Sequence, residues 1–297
     1  MSTRPHPDLL ESGKIASRVR TEIAKQAKPG VSVLRLCHTA ESKILEYGAT
    51  GLAFPCNISI NEEAAHYTSP QGDSRVLPDK GLVKIDLGAH VNGHLSDTAV
   101  TVDMDGSYSD FVTAAQNALS AAIELVEPGI GLGQIGAAIE RAIKKEGLKP
   151  VYQLSGHQMK PWILHAGKSV PNVETHGTGV MKAGEVYAIE PFSTDGNGSI
   201  RAGEEVYIFS NVSRIKPKMD RLARQLRNTL RKRFRSLPFA SRWIRMNDEI
   251  HAAFGRLLQA GVIRGYPVLI EGKDGMVAQW EHTVFVSEDG GVVTTQI

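Results

Sequence analysis

Asp86 and Asp97 flank an Asn92-Gly93 pair, and a hairpin can bring carboxylates so spaced to one point. Val83, Ile85 and Leu87 alternate with Lys84, Asp86 and Gly88, the period of a half-exposed strand, and a second β-rich run extends from Leu95 to Val102. With Asn92-Gly93 as a two-residue turn, Asp97 falls opposite Gly88 and diagonal to Asp86, so both carboxylates share a face. Diagonal neighbours lie roughly 7 to 8 Å apart at the backbone, near enough for their side chains to converge on metal ions ~3.5 to 4 Å from each other. Aspartate is also common on exposed faces, and alone the pair reads equally as solvated residues on an edge hairpin.

Three later segments add to the pair. His157 stands in Leu154-Ser-Gly-His157, a loop-like setting from which an imidazole can present a nitrogen to a metal. Glu190 ends the apolar run Val186-Tyr-Ala-Ile189 and precedes Pro191, where a buried charge is costly unless it is paired or metal-bound. Glu281 likewise lies between Trp280 and the apolar Val284-Phe-Val286. Each of the three, read singly, is also the mark of a surface charge or a satisfied polar residue.

The elements that would carry these groups are legible as a mixture. Apolar spacing of three and four predicts helices over residues 8–27, ended by Lys28-Pro29-Gly30, and over 32–47, 108–126 and 132–146. A Pro and Gly cluster at 127–131 separates the last two. Short strand-like runs follow at 185–190 and 205–209, residues 214–260 turn helical and basic, and 275–295 is β-rich again. Helices and hairpins so mixed argue an α+β fold with a helical insertion near the C-terminus.

The chain has 297 residues, 41% of them hydrophobic and 22% charged, enough for a substantial core. No stretch approaches the ~18 to 20 apolar residues of a membrane span, and MSTRPHPDLLESGK lacks the apolar centre of a secretory signal, so a cytoplasmic protein is expected. Cys37 and Cys56 are too few for a disulfide framework or a thiolate metal site and are expected to be reduced packing residues. The net charge of +2 divides into +11 over residues 214–245, with twelve Lys or Arg against Asp220, and −9 elsewhere.

The runs Lys84-Ile-Asp86-Leu-Gly-Ala-His90, Asp97-Thr-Ala, Gly156-His157, His165-Ala-Gly-Lys, Ala188-Ile-Glu190-Pro-Phe and Glu281-His-Thr-Val together resemble the ordered signature of the methionine aminopeptidases. Gly51-Leu-Ala-Phe-Pro55 and Ala64-Ala-His66-Tyr-Thr look like the type 2 branch, in its short archaeal form. The resemblance covers the chain from about residue 8 to the C-terminus. It implies the pita-bread fold, two pseudo-symmetric α/β halves around a dinuclear site, with a catalytic domain over 1–213 and 271–297 and the type 2 helical insertion over 214–270. It implies two divalent ions, with Asp86 on one, His157 and Glu190 on the other, and Asp97 and Glu281 bridging. Such a hard, oxygen-rich set suits Co, Mn, Fe or Zn. Two ions would acidify a shared water and polarise the scissile carbonyl, with Glu190 shuttling the proton.

The same resemblance puts His66 and His165 beside the metals as catalytic and substrate-binding groups that hydrogen-bond the substrate carbonyl or its amide. Phe54, Leu164 and Ile208 fall at positions that line the methionine pocket, Ile208 where the eukaryotic enzymes carry histidine. His90, His94, His176 and His282 match no ligand position. The implied activity is removal of the initiator methionine from nascent proteins and peptides by a monomer. Between Arg214 and Arg245, cations alternate with Met219, Leu222, Leu226 and Leu230 as on an amphipathic helix, and its cationic face could dock on ribosomal RNA. Two rivals share the fold: an Xaa-Pro aminopeptidase or prolidase, and a non-catalytic ribosome- or nucleic-acid-binding relative without its metals.

Overall fold

Pro7 opens the first helix, α1 (Pro7–Gln26), where a missing N–H costs nothing, and the His6 imidazole accepts the Asp8 N–H at 3.1 Å. Its stripe of Leu9, Ile15, Ala16, Val19 and Ile23 is buried. Ser32 caps α2 (Val33–Glu46) by accepting the Arg35 N–H. Both helices cover an antiparallel sheet whose first member is β1 (Gly51–Ile60), while β2 (Glu63–Ala65) turns away to another sheet. In the computed structural model, which describes residues 4–212 and 218–296, β3 (Leu82–Val91), β4 (His94–Leu95) and β5 (Thr98–Asp103) complete the first sheet. Ile58, Val83, Ile85, Leu87 and Ala89 meet the helix stripes in one core.

The β3–β4 turn takes the conformation its residues favour. Asn92 and Gly93 have φ of 50° and 91°, the left-handed pair of a type I′ turn. His90 then pairs with Leu95, Asp86 with Ala99 and Leu87 with Thr98, the register that a two-residue turn dictates. The run expected as one strand over 95–102 is broken at Ser96 and Asp97.

The second half repeats the plan. Helices α3 (Ser109–Ile123) and α4 (Leu132–Lys145) are followed by β6 (Lys149–Pro150), β7 (Ser155–Met159), β8 (Ser169–Pro171), β9 (Val186–Ile189), β10 (Phe192–Thr194) and β11 (Ile200–Asn211), and share a core with Val170 of β8 and Tyr187 and Ile189 of β9. After the undescribed residues 213–217 come α5 (Arg221–Phe234), β12 (Phe239–Ala240), a 3₁₀ turn over Ser241–Trp243 and α6 (Asp248–Gln259). Then β13 (Ile263–Glu271), β14 (Val277–Gln279), β15 (His282–Ser287) and β16 (Gly290–Val293) return to the sheets. The strand orders are β16-β15-β9-β7-β8, β14-β10-β6 and β12-β11-β13-β2. The result is the expected α+β class.

The segment expected as a helical insertion differs in detail from its sequence reading. Arg214 lies outside the described residues, and α5 ends at Phe234, where Arg235 takes φ of 50°. The span 214–270 also contains β12 and most of β13, both paired with β11. β13 further pairs with β2 from the first half, so within that span the helices end at Gln259. Cys37 and Cys56 are both free and buried.

Candidate metal centre

Three of the five expected ligands sit where a strand is interrupted. Asp97 lies between β4 and β5, Glu190 between β9 and β10, and Glu281 between β14 and β15. At such breaks the backbone leaves one sheet for another, and the side chain there is free to aim into the space between halves. Asp86 projects from within β3, and His157 from the middle of β7, flanked by Ala188 of β9 and Ser169 of β8. All five line one cavity of about 120 Å³ between the two halves.

The backbone around the breaks is stitched across those halves. The Asp97 N–H donates to Thr283 Oγ1 at 2.8 Å, and that hydroxyl donates to the Asp97 carbonyl at 2.8 Å. Thr98 Oγ1 donates to the Glu281 carbonyl at 2.9 Å, and the Glu281 N–H to the Ala99 carbonyl at 3.1 Å. Buried Arg20 reaches from α1 to donate to Thr98 Oγ1. These bonds hold Asp97 and Glu281 against each other from the backbone outward.

The electrostatics describe a site that calls for cations. His157 Nε2 is 3.4 Å from Asp97 Oδ2 and 3.6 Å from Glu190 Oε1, and donor atoms of Asp97, His157 and Glu281 lie within 4.8 Å of one another. Burial pushes the Asp97 carboxyl up to about 7. Asp86, Glu190 and Glu281 are raised well above the usual carboxylate range, by burial first and then by the charges of one another and of Asp97. Burial lowers His157 to about 4, so the imidazole is neutral, the form that offers a lone pair. Asp86 Oδ1 and Glu281 Oε2 are buried without a partner. Carboxylates so crowded cannot all ionise on their own, and divalent cations would satisfy both the charge and the orphaned atoms. The residues therefore fit a metal of the kind the sequence suggested.

The other expected site residues face the same cavity. His66, His165, Phe54, Leu164 and Ile208 all line it. His66 has φ of 69°, and its Nδ1 lies 3.3 Å from the Pro267 carbonyl. Burial lowers His66 to about 4; burial, then His157 and Arg264, lower His165 to about 3. Of the remaining histidines, His90 packs against Trp162 and His282 lies 2.9 Å from Thr295 Oγ1. His94 stacks on His6 near Asp8, the ring centroids 4.0 Å apart and the planes 5° from parallel. Parallel rings set their in-plane lone pairs side by side, not toward one point.

Sequence reasoning missed Asn57, Ala65, Pro238 and Tyr266, which also line the cavity, and Gln279, whose Nε2 donates to Glu190 Oε2 at 3.3 Å. Gln279 stands two before Glu281 in the run VAQWE, and strand alternation there was a usable signal. Tyr266 pairs with Ile208 across β13 and β11, which no local pattern encodes.

Comparison with known proteins agrees with this geometry. Residues 8–210 match the model of metallopeptidase family M24. The chain is 41% identical to the methionine aminopeptidase of Saccharolobus solfataricus over 292 residues, covering 97% of each chain. It is 41% identical to that of Methanocaldococcus jannaschii over 296 residues, covering 100% of each. Among solved structures, a thermophilic Arx1 superposes with a TM-score of 0.86 at 16% identity, covering 98% of this chain and 91% of that one. The methionine aminopeptidase of Thermotoga maritima gives 0.71 at 19%, covering 100% of both chains, and the prolidase of Pyrococcus furiosus gives 0.63 at 16%, covering 98% of this chain and 63% of that one. These likenesses identify the shared architecture as the pita-bread fold. Family match and near full-length identity together establish that the chain belongs to metallopeptidase family M24, among the methionine aminopeptidases, metal-dependent hydrolases that remove an N-terminal methionine.

Proposed function

We infer that the substrate is the initiator methionine of nascent proteins and peptides in the cytosol, and that a monomer of the type 2 branch removes it with two divalent ions. The reading is carried by one observation: all ten side chains assigned to ligation, catalysis and the methionine pocket line a single cavity. Asp86, Asp97, His157, Glu190 and Glu281 would hold the ions, and this donor set suits Co, Mn, Fe or Zn. When bound, they acidify a water and polarise the scissile carbonyl.

The chain's own residues do the rest. Glu190 takes a proton and delivers it to the leaving amine, with the Gln279 amide holding one carboxylate oxygen so that the other faces His157. A carbonyl can only accept, so His66 donates from Nδ1 to Pro267 and keeps Nε2 as an acceptor, suited to a substrate N–H. His165, its ring 4.3 Å from that of His157, donates to the substrate carbonyl oxygen as charge builds there. Phe54, Leu164 and Ile208 surround the methionine side chain, with Tyr266 and Pro238 closing the wall. An adjoining cleft of about 300 Å³ shares Ala65, His66, His157, His165 and Glu190 and receives the remainder of the peptide.

Methionine release from a Met-Gly-Met-Met peptide, measured against an Xaa-Pro peptide during anaerobic Mn titration, tests this reading. Release of methionine alone, saturating at two ions per chain, is expected; turnover of the Xaa-Pro peptide instead would assign a prolidase-like activity.

The cationic insertion supports a second, additional partner. Arg221, Arg224, Lys232 and Arg233 are exposed on α5, opposite buried Ala223, Leu226 and Leu230. Arg227 and Arg231 are half-buried, and Arg231 donates to the Val212 carbonyl at 3.0 Å, so the phosphate-facing set is narrower than the sequence suggested. Docking on ribosomal RNA through that set predicts salt-sensitive co-sedimentation with ribosomes, lost on changing Arg221, Arg224 and Lys232 to Glu.

A further inference from the structure

The insertion also reaches into the first half. Arg242, in the 3₁₀ turn after β12, has a fully buried side chain. Its Nη2 donates to Glu41 Oε1 on α2, and its Nη1 donates to Thr68 Oγ1 at 2.7 Å and to the Ser69 carbonyl at 3.0 Å. Glu41 also accepts the Trp243 Nε1–H at 2.9 Å and the Cys56 N–H at 3.2 Å. Thr68 Oγ1 in turn donates to the Cys56 carbonyl at 2.6 Å. One buried cluster thus ties together the insertion, α2 and two stretches that lead directly into the cavity.

Those stretches are the ones that need holding. Cys56 precedes Asn57, and Thr68 lies two residues beyond His66; Asn57 and His66 both line the cavity. His66 is a non-glycine residue at φ of 69°, a conformation that persists only where its surroundings determine it. A buried ion pair contributes little net stability compared with apolar packing of the same volume, and what it can supply is a single geometry. The segment that carries Arg242 also places Pro238 in the cavity wall and pairs Ala240 with Ile208.

We propose that Arg242 is a positioning residue for His66: through Thr68 and Ser69 it fixes the segment that aims the His66 imidazole at the substrate, so that the insertion helps to orient the substrate. The proposal deepens the reading of His66 as a substrate-binding group and rests on it.

Arg242→Met alone would leave Glu41 buried and unpaired, so the test uses the Arg242→Met/Glu41→Gln double variant. It is accompanied by Thr68→Val, which keeps the ion pair and removes one of its two tethers to the His66 segment, leaving only the bond to the Ser69 carbonyl. For each, kcat and KM on a Met-Gly-Met-Met peptide, Mn affinity by calorimetry and the ¹⁵N resonances of the His66 ring are compared with the unmodified protein. The expected result is a fall in kcat/KM on the order of 10- to 100-fold, carried mainly by kcat, with Mn affinity within about twofold and the His66 resonances displaced. Unchanged kcat/KM in the folded variants, an activity loss that tracks lost Mn, or unmoved His66 resonances would each overturn it. If the unmodified protein releases no methionine, the underlying functional reading fails, while the His66 resonances still report whether Arg242 positions the ring.

Discussion

Removing one carboxylate from a crowded set has opposite effects with and without cations. Glu281 is buried beside Asp97, Glu190 and Asp86, each of which raises its pKa after burial itself. Without metal, Glu281→Gln relieves that crowding and is expected to stabilise the fold by about 1 kcal/mol or more. With Mn present it would remove a proposed ligand, and it is expected to abolish turnover and lower the affinity. His66→Ala touches no ligand and is expected to slow kcat on the order of 100-fold with Mn binding nearly intact. Calorimetric Mn binding and urea unfolding of both variants check the pair; loss of Mn in His66→Ala would show that His66 had been misassigned. The proposed ligands were legible as an ordered set and not singly: Glu190 before Pro191 and Asp86 in an alternating strand also fit paired or solvated charges, and the resemblance of the runs gathered them. Tyr266 and Pro238 had no such surroundings, since each reaches the cavity only through pairing or packing with remote residues.

Between the strands, a buried carboxylate organises two turns. Glu271, at the end of β13, accepts backbone N–H groups of Asn197 at 2.7 Å, Gly198 at 3.0 Å, Lys273 at 2.7 Å and Gly275 at 3.0 Å. Burial works against its charge, but these donors outweigh it and hold the carboxyl below its ordinary range. A depressed carboxylate contributes stability that is complete above the unfolded value of about 4.3 and is lost as pH falls through the lower folded value. Glu271→Gln turns an NH₂ toward two of those donors and is expected to cost about 1–3 kcal/mol at pH 7. In urea titrations the gap between the two proteins should narrow as the pH falls below about 4; a gap independent of pH would count against the charge. The helices and the Asn92-Gly93 hairpin were readable to within a few residues, because caps, turn chemistry and period act over one or two turns of chain. The place of β13 was not, since its partners β11 and β2 lie far away and its pairing with both is interrupted by register shifts.

For the molecule as a whole, the cavity is the seam. Asp86 and Asp97 come from the first half, His157 and Glu190 from the second, and Glu281 from the C-terminal strands that return between them. Cations held between these halves by the proposed ligands would bind only the closed, folded arrangement, so Mn at about 100 times its Kd should stabilise the protein by about 2.7 kcal/mol. A thermal scan with Mn and with chelator checks this, and an unchanged midpoint would mean that the carboxylates do not share a metal. Asp97 and Glu281 are pressed together by the Thr283 and Thr98 bonds, which no sequence period reports. The faces of the helices and the hairpin register could be read along the chain, because each depends on dihedral preferences and alternation over a few neighbouring residues, whereas the order of the ligand motifs was read from their resemblance to a family. The meeting of the halves, the contribution of Gln279 and Tyr266 and the burial of Arg242 against Glu41 were decided only by tertiary structure. They depend on side chains remote in sequence sharing one desolvated volume, where packing and charge compensation select the partners.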